Sequence, residues 1–381
     1  MDFSWSPGQR ELFDTIGKFA AAELNQNLVD NDRAGVFNRE GWKKCGAMGI
    51  QGLAVPSDYG GRGLDPLSTV GALERLGYAC RDNGLVFSLN AHMWTACAPL
   101  VSFGNEAQKR KYLPGLCNGE LIGGNAMSEP GSGSDAYGMQ TTAEKRDGHY
   151  VLNGRKIFIT NGSVADVLVA LAVTDPSKGA AGISAFIVEK ASKGFAVVRT
   201  LEKMGLRTSP MAELRFENCE VPEENRLGNE GAGASLFTHS MTWERGCILA
   251  SAVGSMQRLL ETCIRYARQR KQFGQSIGKF QLIASKIVDM KLRLETARGM
   301  LYQSAYQRSV GRTAVMEAAL AKLHISECWV KSCEDAMQIH GGYGYMTDHE
   351  IEREMRDAMG SRIYSGTSEI QRNLIGSLLG L

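Results

Sequence analysis

Between Gly123 and Val221 the hydrophobic period of this chain changes, and that change bounds the fold more tightly than any single motif. On either side of it, apolar residues recur every three to four positions, the repeat of a helix with one buried face. Within it, DVLVALAVTD, GISAFIVEK and AELRFENCEV are short β-rich runs separated by Gly, Pro and Asp. YVLNGRKIFITNG reads as two strand-like runs around Asn153-Gly154, a dipeptide that favours a hairpin turn. The predicted fold class is therefore mainly α with an inserted β domain. Its boundaries are expected at 1–122 for an N-terminal helical domain, 123–228 for the β domain and 229–381 for a C-terminal helical bundle.

Local signals support the helical parts. In SPGQRELFDTIGKFAAAEL, Ser6 is a candidate N-cap and Pro7 sits at the first helical position. The loop VPSDYGGRGLDP interrupts, and LSTVGALERLGYAC and EAQKRKYLPGL resume the helical pattern. QLIASKIVDMKLRLETARGML places Ile283, Ile287, Met290, Leu294, Ala297 and Leu301 on one stripe, the pattern of bundle packing. A chain of 381 residues exceeds one ordinary core, so two or three domains are expected. One helical stretch, MTWERGCILASAVG, raises a question. Glu244 shares a predicted face with Phe237, Ser240, Cys247, Ile248 and Ser251, and a charge buried there is costly unless paired or used.

Composition excludes several classes. The 43% hydrophobic and 22% charged residues suit a globular protein, and a net charge of +2 argues against a surface that coats nucleic acid. No apolar run approaches the about 18 residues of a membrane span. The opening MDFSWSPGQRELF carries Asp2 and Pro7 and no apolar core, so no secretory signal is expected. Nine scattered cysteines without a CxxC pair suit reduced thiols and a cytoplasmic location, with no metal site.

The common catalytic signatures are missing. No GxGxxG follows a strand, GGYGYMT resembling one only superficially, and GxxxxGK[ST], HExxH and GxSxG do not occur. Four segments remain. NAMSEPGSGSD offers Ser132, Gly133 and Ser134, small residues that let backbone N–H groups approach a ligand, though a plain glycine-rich loop is as good a reading. In KIFITNG, Phe158 and Thr160 alternate to one strand face. They could flank a flat heterocycle, but core packing is the commoner role. RYARQRKQFGQSIGKFQ holds five basic residues and no acid from Arg265 to Lys279, which suits a pyrophosphate or a solvated helix face. Finally, QIHGGYGY ends in a candidate helix C-cap at Gly341 and Gly342. In YSGTSEIQR, Ser368 to Gln371 match a capping box, so a helix N-terminus able to face an anion begins there.

The order and spacing of AMSEPGSGSD, GRKIFITNG, RKQFGQSIGKFQ, QIHGGYGY and YSGTSEIQR, together with VPSDYGGRGL, closely resemble the acyl-CoA dehydrogenase superfamily over nearly the whole chain. The resemblance implies an N-terminal helical domain, a middle β-barrel-like domain and a C-terminal four-helix bundle, assembled as a homotetramer that holds FAD. It implies that Met127 and Ser128 meet the flavin ring and that Phe158 and Thr160 flank it. Arg270, Phe273 and Gln281 would reach the FAD of a neighbouring subunit, as would the turn of Gln338, Gly341 and Gly342. Thr367 and Glu369 would hold the near end of the dinucleotide. Ser134, Thr242, Trp243, Arg245, Ser365 and Gly366 fall at substrate-binding positions, Ser134 near the pantetheine or phosphate end of the substrate.

One position departs from the usual pattern. Many members carry the catalytic glutamate just before Gly-Thr-Ser in the last motif, and this chain has Ser365 there. A minority, including those resembling isovaleryl-CoA dehydrogenase, carry it earlier as Glu-Arg, which matches Glu244-Arg245. Glu244 is therefore expected to be the base, the alternative being a structural ion pair with an arginine. SMTWERGC, YSGTSEIQ and GLVFSLNAHMWTACAPLVSFG resemble most the prolyl-carrier-protein dehydrogenases. That branch implies L-proline held as a thioester on the phosphopantetheine of a peptidyl or acyl carrier protein, oxidised to a pyrroline thioester. Short or branched acyl-CoA thioesters as substrates, or a non-dehydrogenating flavoprotein of this fold that binds nucleic acid or acts as a scaffold, are the alternatives. Oxygen and an electron-transfer flavoprotein both remain open as electron acceptor, and no membrane partner is expected.

Overall fold

The computed structural model describes residues 4–381, so Asp2 of the opening segment lies outside it. Seven helices come first: α1 (Pro7–Glu23), α2 (Leu28–Ala34), α3 (Arg39–Ala47), α4 (Pro66–Ala79), α5 (Asn83–His92), α6 (Ala98–Phe103) and α7 (Glu106–Cys117). Ser6 caps α1 as expected, accepting from the Gln9 N–H while the Gln9 side chain returns to the Ser6 N–H. Between α5 and α6, Met93–Cys97 form a π-helical turn. Such turns widen a helix by one residue and often mark functional positions.

The β part runs β1 (Gly123–Ala126), β2 (Thr142–Arg146), β3 (His149–Thr160), β4 (Val167–Val173), β5 (Ile183–Glu189), β6 (Phe195–Thr200), β7 (Met211–Pro222) and β8 (Arg226–Leu227). The sheet order is β6-β7-β3-β2-β4-β5-β8, with β1 paired in parallel to β4. Alternate residues of β4 and β5 enter different cores. Leu168, Ala170, Phe186 and Val188 join Tyr150, Leu152, Leu214 and Phe216 in the interior of the β domain. Val167, Val169, Leu171, Ile183, Ala185 and Ile187 face Leu100, Leu113 and Leu116 of the helical domain. Burial on both faces explains why β4 and β5 read as continuous apolar runs rather than as alternation.

The expected hairpin at Asn153-Gly154 is not there. β3 continues through both residues with a bulge against β7 between Leu152 and Gly154, and the turn lies at Asp147-Gly148, between Arg146 and its partner His149. Asp-Gly carries the same turn signal as Asn-Gly, and tertiary pairing chose between them. The Asn153 side chain accepts from the Asn218 N–H across the bulge at 2.8 Å.

The last part holds α8 (Gly233–Cys247), α9 (Ala250–Gln269), the small hairpin β9 (Lys271–Gln272) and β10 (Gln275–Ser276), α10 (Gln281–Ser309), α11 (Val315–His340), α12 (Gly342–Tyr345), α13 (Ile351–Met359) and α14 (Ser368–Leu378). Met290, Leu294, Ala297 and Leu301 of the expected stripe are buried, and Ile283 and Ile287 pack against them. The helix carrying Glu244 stops at Cys247 and restarts at Ala250, so Ser251 belongs to the next helix rather than to one unbroken face. The first and last helical parts are not independent. Val70, Leu73 and Leu76 of α4 share one core with Val253, Met256 and Leu260 of α9. At Gly77 and Gly254 the two helices approach so closely that a Cβ on either would overlap the other's backbone.

Candidate active site

Glu244 reaches the last turn of α8 on the buried side of the bundle, and is only 7% exposed. Its Oε1 accepts from the Ser365 hydroxyl at 2.5 Å, while Oε2 is buried without any partner. Among the described residues no arginine lies within 4.0 Å of it as a salt-bridge partner, although Arg245 and Lys322 act on it from farther off. Burial pushes its carboxyl above the ordinary range, against the smaller opposing pulls of the Ser365 hydroxyl, Arg245 and Lys322. An acid so placed holds a proton more readily than an exposed carboxylate and is a stronger base once ionised.

Ser365 and Gly366 form a turn with both residues left-handed, at φ 58° and 85°. For serine this is uncommon backbone, sustained only where the surroundings over-determine it. Here they do. Arg245 Nε donates to the Ser365 carbonyl at 3.4 Å, Gln371 Nε2 to the carbonyls of Ser365 and Gly366 at 3.1 and 3.0 Å, and Lys322 Nζ to that of Gly366 at 2.7 Å. A Cβ at Gly366 would stand 2.6 Å from Gln371 Nε2, so the position requires glycine on two counts. The N–H groups of Gly366 and Thr367 donate to no protein acceptor among the described residues. Thr367, not Ser368, caps α14, accepting from the Ile370 N–H at 3.2 Å. Ser368 bonds Glu327 at 2.7 Å instead, and Gln371 is spent on the turn, so the expected capping box does not form although the helix starts where predicted. Glu369 is exposed beside the cap.

A second group gathers at the end of β1. Met127 and Ser128 follow that strand directly. The Ile157 N–H donates to the Ser128 carbonyl at 2.9 Å, and Lys156, fully buried, donates to the Met127 carbonyl at 3.0 Å and pairs with Glu129 at 2.8 Å. Phe158 departs from the core-packing reading. A bulge between Lys156 and Ile159 breaks the alternation with Thr160, and leaves Phe158 at φ 59° and 62% exposed. Strained backbone that presents an aromatic ring outward is unfavourable for a core but suits a flat ligand. Ser134 lies exposed on the following loop, and just beyond it the Tyr137 hydroxyl meets Thr238 Oγ1 at 3.1 Å, tying the loop to α8.

Thr242 and Trp243 are not gathered with Glu244. The Thr242 hydroxyl bonds back to the Thr238 carbonyl, and Trp243 is sandwiched between Trp94 of the π-helical turn, stacked at 5.8 Å and 3°, and the Arg308 guanidinium at 3.5 Å. Successive helical residues point about 100° apart, so the ring next to Glu244 in sequence supports α8 from another side.

The third group is remote. Phe273, 92% exposed at the β9–β10 turn, meets Phe280, which precedes Gln281 at the start of α10. Arg270 lies 5.6 Å from the ring of Tyr343, just after exposed Gln338, Gly341 and Gly342. Along α11, Gln338 stands sixteen residues past Lys322, so this group sits roughly 24 Å from the Glu244 turn at 1.5 Å per residue.

The arrangement fits a flavin dinucleotide. Phe158 presents a ring, the Gly366 and Thr367 amides just before α14 face no protein acceptor, and glycines at 131, 133, 341 and 342 have open space where a Cβ would stand. Sequence reasoning missed Lys322, Gln371 and the Lys156–Glu129 pair. For Lys322 a signal existed, a lone lysine on the apolar face of Ala318, Ala321, Ile325 and Trp329.

Profiles of the acyl-CoA dehydrogenase N-terminal, middle and C-terminal domains match residues 6–120, 124–219 and 231–379. The L-prolyl-[peptidyl-carrier protein] dehydrogenase of Serratia sp. is 42% identical over 381 residues, 100% of this chain and 99% of that protein. The crystal structure of the prolyl acyl carrier protein oxidase AnaB is 51% identical with a TM-score of 0.98, covering 99% of this chain and 100% of that one. PigA with FAD and proline is 42% identical with a TM-score of 0.98 over all of both chains. With all three domains matched in order and full-length relatives above 40% identity, the chain belongs to the acyl-CoA dehydrogenase family.

Proposed function

We propose that this protein is an FAD-dependent dehydrogenase of a prolyl group held as a thioester on a carrier protein, and that Glu244 is its catalytic base. The observation that carries the assignment is the buried carboxylate with one free oxygen, set against a left-handed Ser365–Gly366 turn. The similarity to the Serratia sp. enzyme and to PigA with FAD and proline supports the substrate and the cofactor.

When bound, FAD supplies a two-electron acceptor for the hydride lost by the substrate. The chain's own residues supply the rest. Glu244 Oε2 takes the proton from the carbon next to the thioester, a weak acid that needs a strong and well-placed base. Ser365 orients that carboxylate through Oε1. The free amides of Gly366 and Thr367 receive the thioester oxygen as negative charge develops on it, the task of an oxyanion site. Met127, Ser128, Phe158 and Thr160 would hold the flavin ring, and Thr367 and Glu369 the near end of the dinucleotide. Ser134 meets the pantetheine arm.

The domains divide at 122/123 and 228/229, and the matched segments fall inside those limits. The assembly is a homotetramer, in which Arg270, Phe273, Gln281, Gln338, Gly341 and Gly342 serve a neighbouring subunit's FAD. The exposed Leu282, Val288 and Leu292 along α10 support self-association. Among the described residues no helix is long and apolar enough to cross a membrane. A cytoplasmic setting belongs to the same proposal, resting on nine buried thiols.

Anaerobic mixing with prolyl-loaded carrier protein tests the proposal. The flavin absorbance should bleach within seconds, while free proline and acyl-CoA esters leave it unchanged. Bleaching by a short or branched acyl-CoA ester, with none by the loaded carrier, would replace the substrate reading with that of an acyl-CoA dehydrogenase.

A further inference from the structure

Lys322 lies in the middle of the bundle with its side chain wholly removed from solvent. It forms no salt bridge within 4.0 Å among the described residues, and its ammonium is directed at a single carbonyl, that of Gly366, at 2.7 Å. A buried lysine without a paired acid is expensive, and folds retain one where the charge is used. The charges around it are few. Glu244 and Arg245 face it from α8, Glu327 from its own helix, the Tyr364 ring lies 6.0 Å away, and Glu369 faces it from α14.

We propose that Lys322 is a positioning residue. Through the Gly366 carbonyl it holds the Ser365–Gly366 turn in its left-handed form, so that the Ser365 hydroxyl meets Glu244 and the turn's amides stay free for the thioester oxygen. This rests on the reading of Glu244 as the base. Three donors share the two carbonyls: Arg245 of α8 bonds that of Ser365, Gln371 of α14 bonds both, and Lys322 of α11 bonds that of Gly366 alone, by the shortest contact of the set. Electrostatics act in the same direction. Burial pulls the Lys322 ammonium down, Glu244 offsets part of that to leave it at about 8, and reciprocally Lys322 draws the Glu244 carboxyl down.

The test uses the FAD-loaded enzyme and stopped-flow flavin reduction by prolyl-loaded carrier across pH. Lys322→Met should lower the saturating reduction rate about 10- to 100-fold, less than the about 10²–10³-fold of removing an oxyanion donor outright because the amides are only misplaced, with the half-saturating carrier concentration little changed. Lys322→Gln keeps a donor without the charge. It should recover most of the plateau rate, while its low-pH limb, like that of Lys322→Met, moves to higher pH. A merely structural lysine would alter stability and leave the limb in place. Wild-type plateau and limb in Lys322→Met overturn the proposal. If Lys322→Met does not retain FAD, Lys322→Gln decides alone, and a wild-type limb there overturns it. Glu244→Gln reports on the underlying reading separately. Undiminished reduction in that variant refutes the base assignment, whatever the lysine variants do.

Discussion

Replacing Ser365 with alanine isolates the one hydrogen bond that Glu244 makes. The bond is 2.5 Å long, Oε2 has no partner, and burial already raises the carboxyl. A hydrogen bond to a charged group contributes about 1.5–3 kcal/mol. At 1.36 kcal/mol for each pKa unit, its loss should raise the Glu244 pKa by about 1–2 units further. The sign follows from the donor, since Ser365 favours the ionised form and its removal favours the protonated one. If Glu244 must be ionised to act, the rate of flavin reduction falls with decreasing pH, and Ser365→Ala moves that fall upward. Below both limbs the variant should therefore be slower by about 10–100-fold, the same factor, and above both the two enzymes should approach one plateau. Glu244→Gln has no base to recover, so it should show no limb and be slower by about 10²–10⁴-fold above the wild-type limb, while still binding FAD. The assay is the observed reduction rate against pH at saturating prolyl-carrier substrate. A limb for Ser365→Ala that stays in place or moves down, or a pH-independent loss as large as that of Glu244→Gln, would refute the assignment of base and partner.

Three other outcomes are expected. Lys156→Met leaves the buried Glu129 carboxylate with only the Gln140 and Thr141 N–H groups and no cation, and should cost about 3–5 kcal/mol by denaturant unfolding, whereas Lys156→Met with Glu129→Gln, which removes the charge and keeps an acceptor, should restore part of that. Asp357, buried beside Asn83 and Glu354, has its carboxyl pushed up to about 7 by burial. Its raised pKa means that its contribution to stability is full below the unfolded value and is lost as pH rises through about 7. Asp357→Asn should flatten that part of the Tm profile, and an unchanged slope would sink the reading. Phe158→Ala should leave unfolding stability within about 0.5 kcal/mol, because the ring is largely exposed, yet weaken FAD binding measured by fluorescence titration.

The sequence by itself determined the three-part order, the cap on α1, the stripe of α10 and the isolation of Glu244 on an apolar helix face. Each depends on residues close along the chain, where period, caps and turn types act. It also carried, in the motif order, the likeness that pointed to Glu244 as the base and set Ser365 where many members carry that glutamate. Only the tertiary structure decided which Gly dipeptide turned and which continued as a bulge, because pairing of β3 with β7 outweighed the local preference at Asn153-Gly154. It alone turned Phe158 outward, left Trp243 between Trp94 and Arg308, and joined the first and last helical parts through Gly77 and Gly254. The strained turn at Ser365 and Gly366 is the clearest case. Its conformation is held by Arg245, Lys322 and Gln371. Two of those three lie on other helices, so no local rule could place them, and long-range hydrogen bonds supply what the turn's own residues disfavour.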